Sequence, residues 1–209
     1  MLTIRINMIK TVLLDIGNVL LSNGWDTASR KLASQTFNLD LEEFAERHGY
    51  LSALYEEGKI TLNDYLDKVI FYEERNFSKT DFKNFIFSQS KPIPEMIELF
   101  KNLKLKYKFK LVALNNEGLE LSNYRVTTFK LDEFVDFFVT SCFVNMRKPD
   151  ENIYKLAVNM SFSKPEQCIF IDDRYFNVET AANLGINAFQ HKDYKTTKEK
   201  LARYGLAIE

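Results

Sequence analysis

The stretch Leu13-Leu14-Asp15-Ile16-Gly17-Asn18-Val19 decides the fold. It closes an apolar run, predicted as a strand over residues 11–16, with a carboxylate followed by residues that favour a turn. Three later runs, over residues 109–114, 134–139 and 168–171, are equally short and apolar. Near-continuous apolar strands are typical of a parallel sheet that is covered on both faces.

The segments between the later strands show the periodicity of amphipathic helices. Helices are predicted over residues 93–105, 151–160 and 177–184, with Asp150 as an N-cap and Gly185 as a stop signal. Strands that alternate with helices predict an α/β fold with right-handed crossovers.

Between residues 22 and 90 no comparable strand is predicted, and the pattern favours several amphipathic helices. Thr61 and Asp64 have the spacing of a capping box and precede apolar residues at helical intervals. We therefore divide the chain into an α/β core of residues 1–21 and 91–209 and a small helical cap of residues 22–90, inserted after the first strand.

The composition argues against several classes of protein. The 28 basic and 29 acidic side chains nearly cancel, so we expect no nucleic-acid partner and no anionic membrane surface. No segment has the ~20 apolar residues of a membrane span, and no export signal is recognised, with Met8 as a candidate alternative start. Cys142 and Cys168 are expected to be reduced core thiols, which favours a cytoplasmic protein. The sequence identifies no protein partner.

Polar residues at the ends of four apolar runs form the candidate site. They are Asp15, the pair Asn115-Asn116, Lys148 and the pair Asp172-Asp173. Taken singly, each has an ordinary explanation as a turn, cap or surface residue. Because the carboxyl ends of parallel strands share one edge of the sheet, their joint order predicts a nucleophile, phosphate donors, a countercharge and metal ligands in one place.

With these motifs, the chain resembles the haloacid dehalogenase superfamily of phosphohydrolases. Asp15 to Val19 resembles the first motif, Leu114 to Asn116 the second, Lys148-Pro149 the third and Asp172 to Asn177 the fourth. The insertion is similar to the small C1 cap of that family, and the resemblance implies a Rossmann-like core. The form Asp-x-Gly-Asn-Val, with Met-Arg-Lys-Pro later, is similar to a subgroup containing bacterial sugar-1-phosphate phosphatases.

The resemblance implies a covalent mechanism that depends on Mg²⁺. Asp15 would attack phosphorus and become a transient aspartyl phosphate. The metal would be held by the Asp15 carboxylate, the main-chain carbonyl of Gly17 and Asp173. Mg²⁺ prefers a few oxygen ligands together with phosphate and water, which agrees with this set.

The resemblance also implies the residues that surround the phosphate. Lys148 would be a catalytic countercharge beside Asp15 and the phosphate, and Asn115 and Asn116 would donate to phosphate oxygens. Asp172 is expected to orient a metal-bound water or Lys148. Trp25, the only tryptophan, falls where the chain enters the cap and is a candidate to stack on the leaving group, although cap packing explains it equally well.

Two positions depart from the family pattern. Gly17 stands where most family phosphatases carry a second Asp as general acid and base, so good leaving groups should be favoured over alkyl phosphates. Asn115 stands in place of Ser or Thr, and its larger amide should weaken or reposition phosphate binding. His48 and His191 fall outside the motifs, which disfavours a histidine base.

The leading hypothesis is a Mg²⁺-dependent phosphatase of a small phosphorylated metabolite, for example a sugar phosphate. A 2-haloacid dehalogenase is an alternative, because displacement of halide from carbon needs no general acid. Dehalogenases of the family lack the acidic fourth motif, so Asp172 and Asp173 favour the phosphatase. A catalytically weak protein that binds a phosphorylated ligand is a third hypothesis, motivated by the changes at Gly17 and Asn115.

Overall fold

The computed structural model describes residues 9–208, so Met8 and residues 1–7 of the predicted core lie outside the described residues. Cys142 and Cys168 are buried free thiols. Within residues 9–208, the structure has no helix of the length and apolarity that crossing a membrane requires.

One sheet of five parallel strands forms the centre of the part that the structure describes. The strands are β1 (Thr11–Leu14), β2 (Lys110–Asn115), β3 (Phe137–Thr140), β4 (Cys168–Asp172) and β5 (Asn187–Gln190), in the order β3-β2-β1-β4-β5. At the centre, Leu13 of β1 pairs with Val112 of β2 and Phe170 of β4. The predicted α/β fold with a parallel sheet is confirmed. The strand order changes direction at β1, and in such sheets ligands bind outside the carboxyl ends at this point.

Four helices follow β1 within residues 22–90. They are α1 (Thr27–Phe37), α2 (Leu41–Glu56), α3 (Leu62–Val69) and α4 (Lys79–Ser88). The predicted capping box is present at the start of α3, where the Thr61 hydroxyl accepts from the Asp64 N–H and the Asp64 carboxylate accepts from the Thr61 N–H. The helices bury a shared apolar cluster that includes Phe44, Tyr65 and Phe82.

The two chain segments that join these helices to the sheet lie side by side. The Ser22 N–H donates to the Lys91 carbonyl at 2.7 Å, and the Ser22 hydroxyl donates to the Gln89 carbonyl at 2.8 Å. We interpret residues 22–90 as the cap on this basis.

Six further helices lie within residues 91–208. They are α5 (Pro94–Tyr107), α6 (Leu119–Thr128), α7 (Ser141–Val144), α8 (Glu151–Met160), α9 (Tyr175–Asn183) and α10 (Tyr194–Arg203). Leu14 shares one apolar cluster with Phe100 of α5 and Leu201 of α10. Leu13, pointing to the other face, shares a second cluster with Tyr154 of α8. Burial on both faces explains why the strands are apolar at nearly every position.

The helix ends agree closely with the sequence signals. The predicted helices over 93–105, 151–160 and 177–184 correspond to α5, α8 and α9. The Asp150 carboxylate accepts from the Asn152 N–H at 2.8 Å as an N-cap. Gly185, at φ +79°, occupies the left-handed conformation beyond the end of α9.

Three elements differ most from the prediction. The third strand begins at Phe137 rather than Phe134, because Phe134 and Val135 lie in a turn and are apolar through packing against the core. Strand β5 and helix α10 were not predicted from the pattern. The strand is short and begins and ends in polar residues, Asn187 and Gln190.

Candidate active site

Three carboxylates and one lysine meet at the carboxyl ends of β1 and β4. Asp15 follows β1 and Asp172 ends the adjacent strand β4. Lys148, from the loop between α7 and α8, donates from Nζ to Asp15 Oδ1 at 2.9 Å and to Asp172 Oδ2 at 2.6 Å. Asp173 completes the group, since carboxylate oxygens of the three aspartates lie within 4.8 Å of one another. The structure brings these four predicted residues together.

Burial sets the electrostatics of this cluster. The exposed fractions of Asp15 and Lys148 are 7% and 3%. Burial raises the pKa of Asp15 to about 7, although the charge of Lys148 acts to lower it. Burial also acts to lower the pKa of Lys148, but the charges of Asp15 and Asp172 outweigh this effect and keep its pKa above the usual value. One ammonium thus faces three carboxylates, and the cluster has excess acceptor charge for a cation.

The chemistry of these donors fits Mg²⁺. Carboxylate oxygens are the ligands that this ion prefers. Asp173 is held toward the cluster by Asn18, whose Nδ2 donates to Asp173 Oδ2 at 2.9 Å. Gly17, the third predicted ligand through its carbonyl, lines the same cavity as Asp15. These residues can therefore hold the metal that the family resemblance implies.

Asp172 is the most firmly held of the three carboxylates. It is fully buried, and Asn177 Nδ2 donates to its two oxygens at 3.1 and 3.0 Å. The Arg174 N–H adds a bond to Oδ1 at 2.8 Å. With Lys148 on Oδ2, the carboxylate has a fixed orientation, which suits the predicted positioning role.

The two predicted phosphate-binding amides have different environments. Asn115 is 3% exposed, and its Nδ2 has no hydrogen-bond partner among the described residues. A buried donor without a partner is costly, and a bound oxyanion would satisfy it. The Asn116 side chain instead forms two hydrogen bonds with the main chain of Lys148. Its Nδ2 donates to the carbonyl at 2.9 Å, and its Oδ1 accepts from the N–H at 2.8 Å. Its side chain positions the lysine loop, and its role as a phosphate donor stays a prediction.

The structure leaves little space for a side chain at Gly17. A Cβ there would lie 2.9 Å from Asn23 Oδ1, and Asn23 also lines the cavity. A second Asp at this position would require Asn23 to move. The absence of the family's general acid is thus matched by the packing around it.

Trp25 belongs both to the cap cluster and to the cavity wall. Its Nε1 donates to Tyr65 Oη at 3.2 Å, and its ring lies 5.9 Å from Phe82, centroid to centroid. His48 Nδ1 contacts the same Tyr65 hydroxyl at 2.8 Å. Burial lowers the pKa of His48 to about 4, so its imidazole is neutral. Stacking of Trp25 on a leaving group stays a prediction.

A cavity of about 550 Å³ lies between the sheet edge and the cap helices. Its volume is in the range of small-ligand sites. Sequence reasoning missed five charged residues that line it: Arg30, Glu117, Arg125, Arg147 and Arg174. Arg147 and Arg174 lie within quoted motifs and Glu117 directly follows one, and this position was a usable signal. Arg30 and Arg125 lie on helices with no motif, so only the fold reveals them.

Glu117 is held by a buried ion pair. Its Oε2 lies 2.8 Å from Nη1 of Arg125, and the exposed fractions of the two residues are 7% and 1%. Burial raises the pKa of Glu117 to about 7, and the guanidinium acts in the opposite direction. The pair stands on the wall of the cavity that also contains Asp15.

The parallel sheet, the aspartate cluster and the lysine between them define a hydrolase site of a known class. A family model of haloacid dehalogenase-like hydrolases matches residues 9–185, and the chain belongs to this family. It is an enzyme of the haloacid dehalogenase type.

Relatives and solved structures agree with this assignment. The chain is 25% identical to flavin mononucleotide hydrolase 1 of Arabidopsis thaliana over 82% of this chain and 69% of that protein. It is 27% identical to glyceraldehyde 3-phosphate phosphatase of Pyrococcus furiosus over 43% of this chain and 38% of that protein. A haloacid dehalogenase family enzyme of Bacteroides thetaiotaomicron, solved with magnesium and inorganic phosphate, has a TM-score of 0.72 at 23% identity, covering 88% of this chain and 94% of that one. At this identity the structural likeness shows the fold.

Proposed function

We propose that this protein is a Mg²⁺-dependent phosphatase of a small phosphorylated metabolite. The observation that carries the proposal is the meeting of Asp15, Asp172 and Asp173 around Lys148, with carboxylate oxygens within 4.8 Å of one another. A metal-dependent phosphoryl transfer needs both a carboxylate nucleophile and acidic ligands, whereas halide displacement needs only the nucleophile. The names of the two curated relatives, a flavin mononucleotide hydrolase and a phosphatase, support the same reaction class.

The proposed reaction has two displacements at phosphorus. An oxygen of Asp15 forms a bond to phosphorus as the ester P–O bond breaks, and the departing oxygen takes its proton from solvent. Water then attacks the aspartyl phosphate, releases inorganic phosphate and restores the Asp15 carboxylate. Lys148 holds the Asp15 carboxylate through its 2.9 Å hydrogen bond and offsets negative charge at the transferring group. Asn115 Nδ2, which lacks a partner in the described chain, donates to a phosphoryl oxygen.

Asp15, the Gly17 carbonyl and Asp173 would hold Mg²⁺, which would supply the positive charge that lets an anion approach a phosphate dianion. Asp172 positions Lys148 through the 2.6 Å hydrogen bond. These assignments follow the family roles at each matching position.

The preferred substrates have good leaving groups, because residue 17 provides no acid to protonate the departing oxygen. General acid assistance accelerates such reactions by about 10²–10⁴-fold. Its absence slows the reaction most when the leaving group is strongly basic. Anomeric sugar phosphates, acyl phosphates and aryl phosphates should therefore react faster than simple alkyl phosphates. Equal kcat/KM across a leaving-group series would contradict this selectivity.

A screen of phosphate release over a metabolite panel tests the proposal. The wild-type enzyme should release phosphate only with Mg²⁺, and Asp15→Asn should reduce the rate to background. Identical release by both proteins would instead support a ligand-binding protein without catalysis. Release of halide from a 2-haloacid in the presence of EDTA would support the dehalogenase alternative and overturn the phosphatase.

A further inference from the structure

The charged groups on the cavity wall leave two guanidiniums without carboxylate partners. Five cationic side chains line the cavity. Three have ion-pair partners: Arg125 with Glu117 at 2.8 Å, Arg147 with Glu56 at 2.6 Å, and Lys148 with Asp15 and Asp172. For Arg30 and Arg174, no carboxylate oxygen of residues 9–208 lies within ion-pair distance.

Arg30 is fixed in place and retains free donors. It lies on α1 of the cap and is half-buried. Its Nη1 donates to the Trp25 carbonyl at 2.7 Å and its Nη2 to Thr27 Oγ1 at 3.2 Å. A guanidinium has five N–H donors, so these two bonds orient the group and leave others for a ligand. The nearest acidic neighbour in sequence, Asp26, is occupied as the N-cap of α1 by the Ser29 N–H.

Arg174 approaches the same space from the core. It follows Asp173 on the loop after β4, its main chain is bound to Asp172, and its side chain is exposed. Burial lowers the pKa of Arg30, Tyr65, Asp26 and Glu56 act to raise it, and the charge of Arg174 has a weaker lowering effect. Two guanidiniums that repel each other across a cavity are stabilised when an anion lies between them.

Among residues 9–208, neither guanidinium of this pair forms an ion pair with the carboxylates of the phosphoryl site, two of which pair with Lys148. The charges that act most strongly on Asp15 are those of Lys148, Asp172 and Asp173. Arg30, by contrast, is anchored to Trp25 and Thr27 on the cap wall. Asp15, Arg30 and Arg174 line one cavity, so a substrate whose phosphate reaches Asp15 has both arginines within the space that its leaving group can occupy.

We propose that Arg30 and Arg174 bind a second anionic group on the leaving-group side of the substrate, a carboxylate or a second phosphate. The inference rests on the proposed phosphatase function and narrows its substrates to phosphomonoesters that carry a further negative charge. A guanidinium fork matches the planar oxygen pair of a carboxylate and the face of a phosphate equally well.

Matched aryl phosphates test the proposal, because aryl leaving groups depart without a general acid. The two probes are 4-carboxyphenyl phosphate and its neutral analogue 4-carbamoylphenyl phosphate, which have nearly the same shape. The wild-type enzyme should prefer the carboxylate by about 10- to 100-fold in kcat/KM, the factor that charge-assisted hydrogen bonds contribute. Arg174→Gln and Arg30→Gln should each remove most of this preference, measured as the ratio of kcat/KM for the two probes.

Two controls accompany these variants. Arg47→Gln changes a cap arginine that is paired with Glu43 and lies over the Tyr72 ring, and it should retain the full preference. Arg174 is exposed, so Arg174→Gln keeps the test valid if Arg30→Gln fails to fold. Glucose 1,6-bisphosphate compared with glucose 1-phosphate asks the same question for a second phosphate, because both carry an anomeric phosphate with a good leaving group. A preference in either probe pair that the arginine variants abolish supports the proposal.

Two results would overturn the inference while leaving the phosphatase intact. They are a wild-type enzyme with no preference in either probe pair, and arginine variants that lose activity equally on charged and neutral probes. Thermal stabilisation of the Asp15→Asn protein by the same probes gives a readout without turnover. Absence of Mg²⁺-dependent phosphate release from every substrate, with the charge preference in binding retained, would instead reject only the proposed reaction.

Discussion

At the scale of single residues, the excess negative charge of the site lowers the stability of the folded protein. Lys148 alone balances Asp15, Asp172 and Asp173, and the first two carboxylates are buried. A buried carboxylate beside others is costly, and the raised pKa of Asp15 reflects this cost. The same excess charge is what a divalent cation would neutralise. Neutralising Asp15 should therefore lower the activity and raise the stability of the metal-free protein.

We predict that Asp15→Asn abolishes phosphate release and stabilises the metal-free protein. At pH 8 in EDTA, the free energy of unfolding should rise by about 1–3 kcal/mol, because the amide removes one buried charge and still accepts from Lys148. Urea unfolding measures this difference. Mg²⁺ should stabilise the wild type more than the variant, so the gap narrows on adding metal. A variant less stable than wild type in EDTA would contradict the charge argument.

The raised pKa of Glu117 predicts that the stability of the protein depends on pH. Its pKa is raised from 4.5 to about 7 in the folded protein, so between these values the folded state binds more protons than the unfolded chain. Its contribution to stability is then complete below pH ~4.5 and is lost as the pH rises to ~7. Relative to Glu117→Gln, the wild-type free energy of unfolding should fall by roughly 3 kcal/mol across this window.

The measurement is urea unfolding of both proteins at several pH values. Effects of the substitution that do not involve ionisation of Glu117 add an offset that does not depend on pH, so only the slope is diagnostic. A difference that stays constant from pH 4 to pH 8 would show that the carboxyl group titrates normally.

Sequence alone identified the residues whose place is set by strand ends. Asp15, Asn115 and Asp172 each end or follow a buried apolar run, and parallel pairing necessarily brings them to one edge. Arg30 could not be found in this way. Its distance from the site depends on how α1 packs on the sheet, and the helical pattern does not encode that orientation.

At the scale of elements, the contact between cap and core depends on Gly118. This residue precedes α6, and a Cβ placed on it would lie 2.0 Å from Cζ of Tyr55 on α2. Its φ of −71° is ordinary, so the requirement for glycine is the close approach of the two helices and not backbone strain. Tyr55 is 4% exposed and has little room to move.

We predict that Gly118→Ala destabilises the protein by about 1–3 kcal/mol, the usual cost of overpacking, and lowers kcat/KM by displacing α2 from the cavity. Gly49→Ala, on the same helix, is the matched control. Nothing lies within 4 Å of its added Cβ, so it should be neutral or stabilise α2 by up to ~1 kcal/mol. Thermal unfolding and phosphatase assays compare the two. Equal effects would show that α2 tolerates movement at Gly118.

Some short elements could not be predicted from the sequence pattern. Strand β5 (Asn187–Gln190) has only Ala188 and Phe189 between polar ends, too few residues for a period to be recognised. Phe134 and Val135 match strand composition, yet they pack as a turn against the core. Long periodic helices such as α5 and α8 were predicted nearly to the residue. The weakest predictions thus concern short segments whose conformation is set by tertiary packing.

At the scale of the whole molecule, Arg125 binds the two chain segments that join the cap helices to the sheet. From α6, its Nη2 donates to the Ser22 carbonyl at 2.9 Å on the first segment. Its Nε donates to Ser90 Oγ at 3.0 Å on the second segment. A Cβ on Gly24 would lie 1.9 Å from Nη2, so the chain passes directly over the guanidinium. The remaining guanidinium nitrogen, Nη1, pairs with Glu117 on the cavity wall. One buried side chain therefore links the orientation of the cap to the charge of the site.

We predict that at pH 8 Arg125→Met lowers the free energy of unfolding by about 3–5 kcal/mol, because Glu117 must then be buried either as an unpaired carboxylate or in its protonated form. Ser90→Ala, which removes a single hydrogen bond, should cost only about 1 kcal/mol. In the double variant Arg125→Met/Glu117→Gln, no unpaired charge remains, so much of the lost stability should return. Urea unfolding of this set forms a double-mutant cycle. If the two substitutions add, the penalty comes from the lost links to Ser22 and Ser90, and the cap is held by those contacts instead of by the balance of charge beneath it.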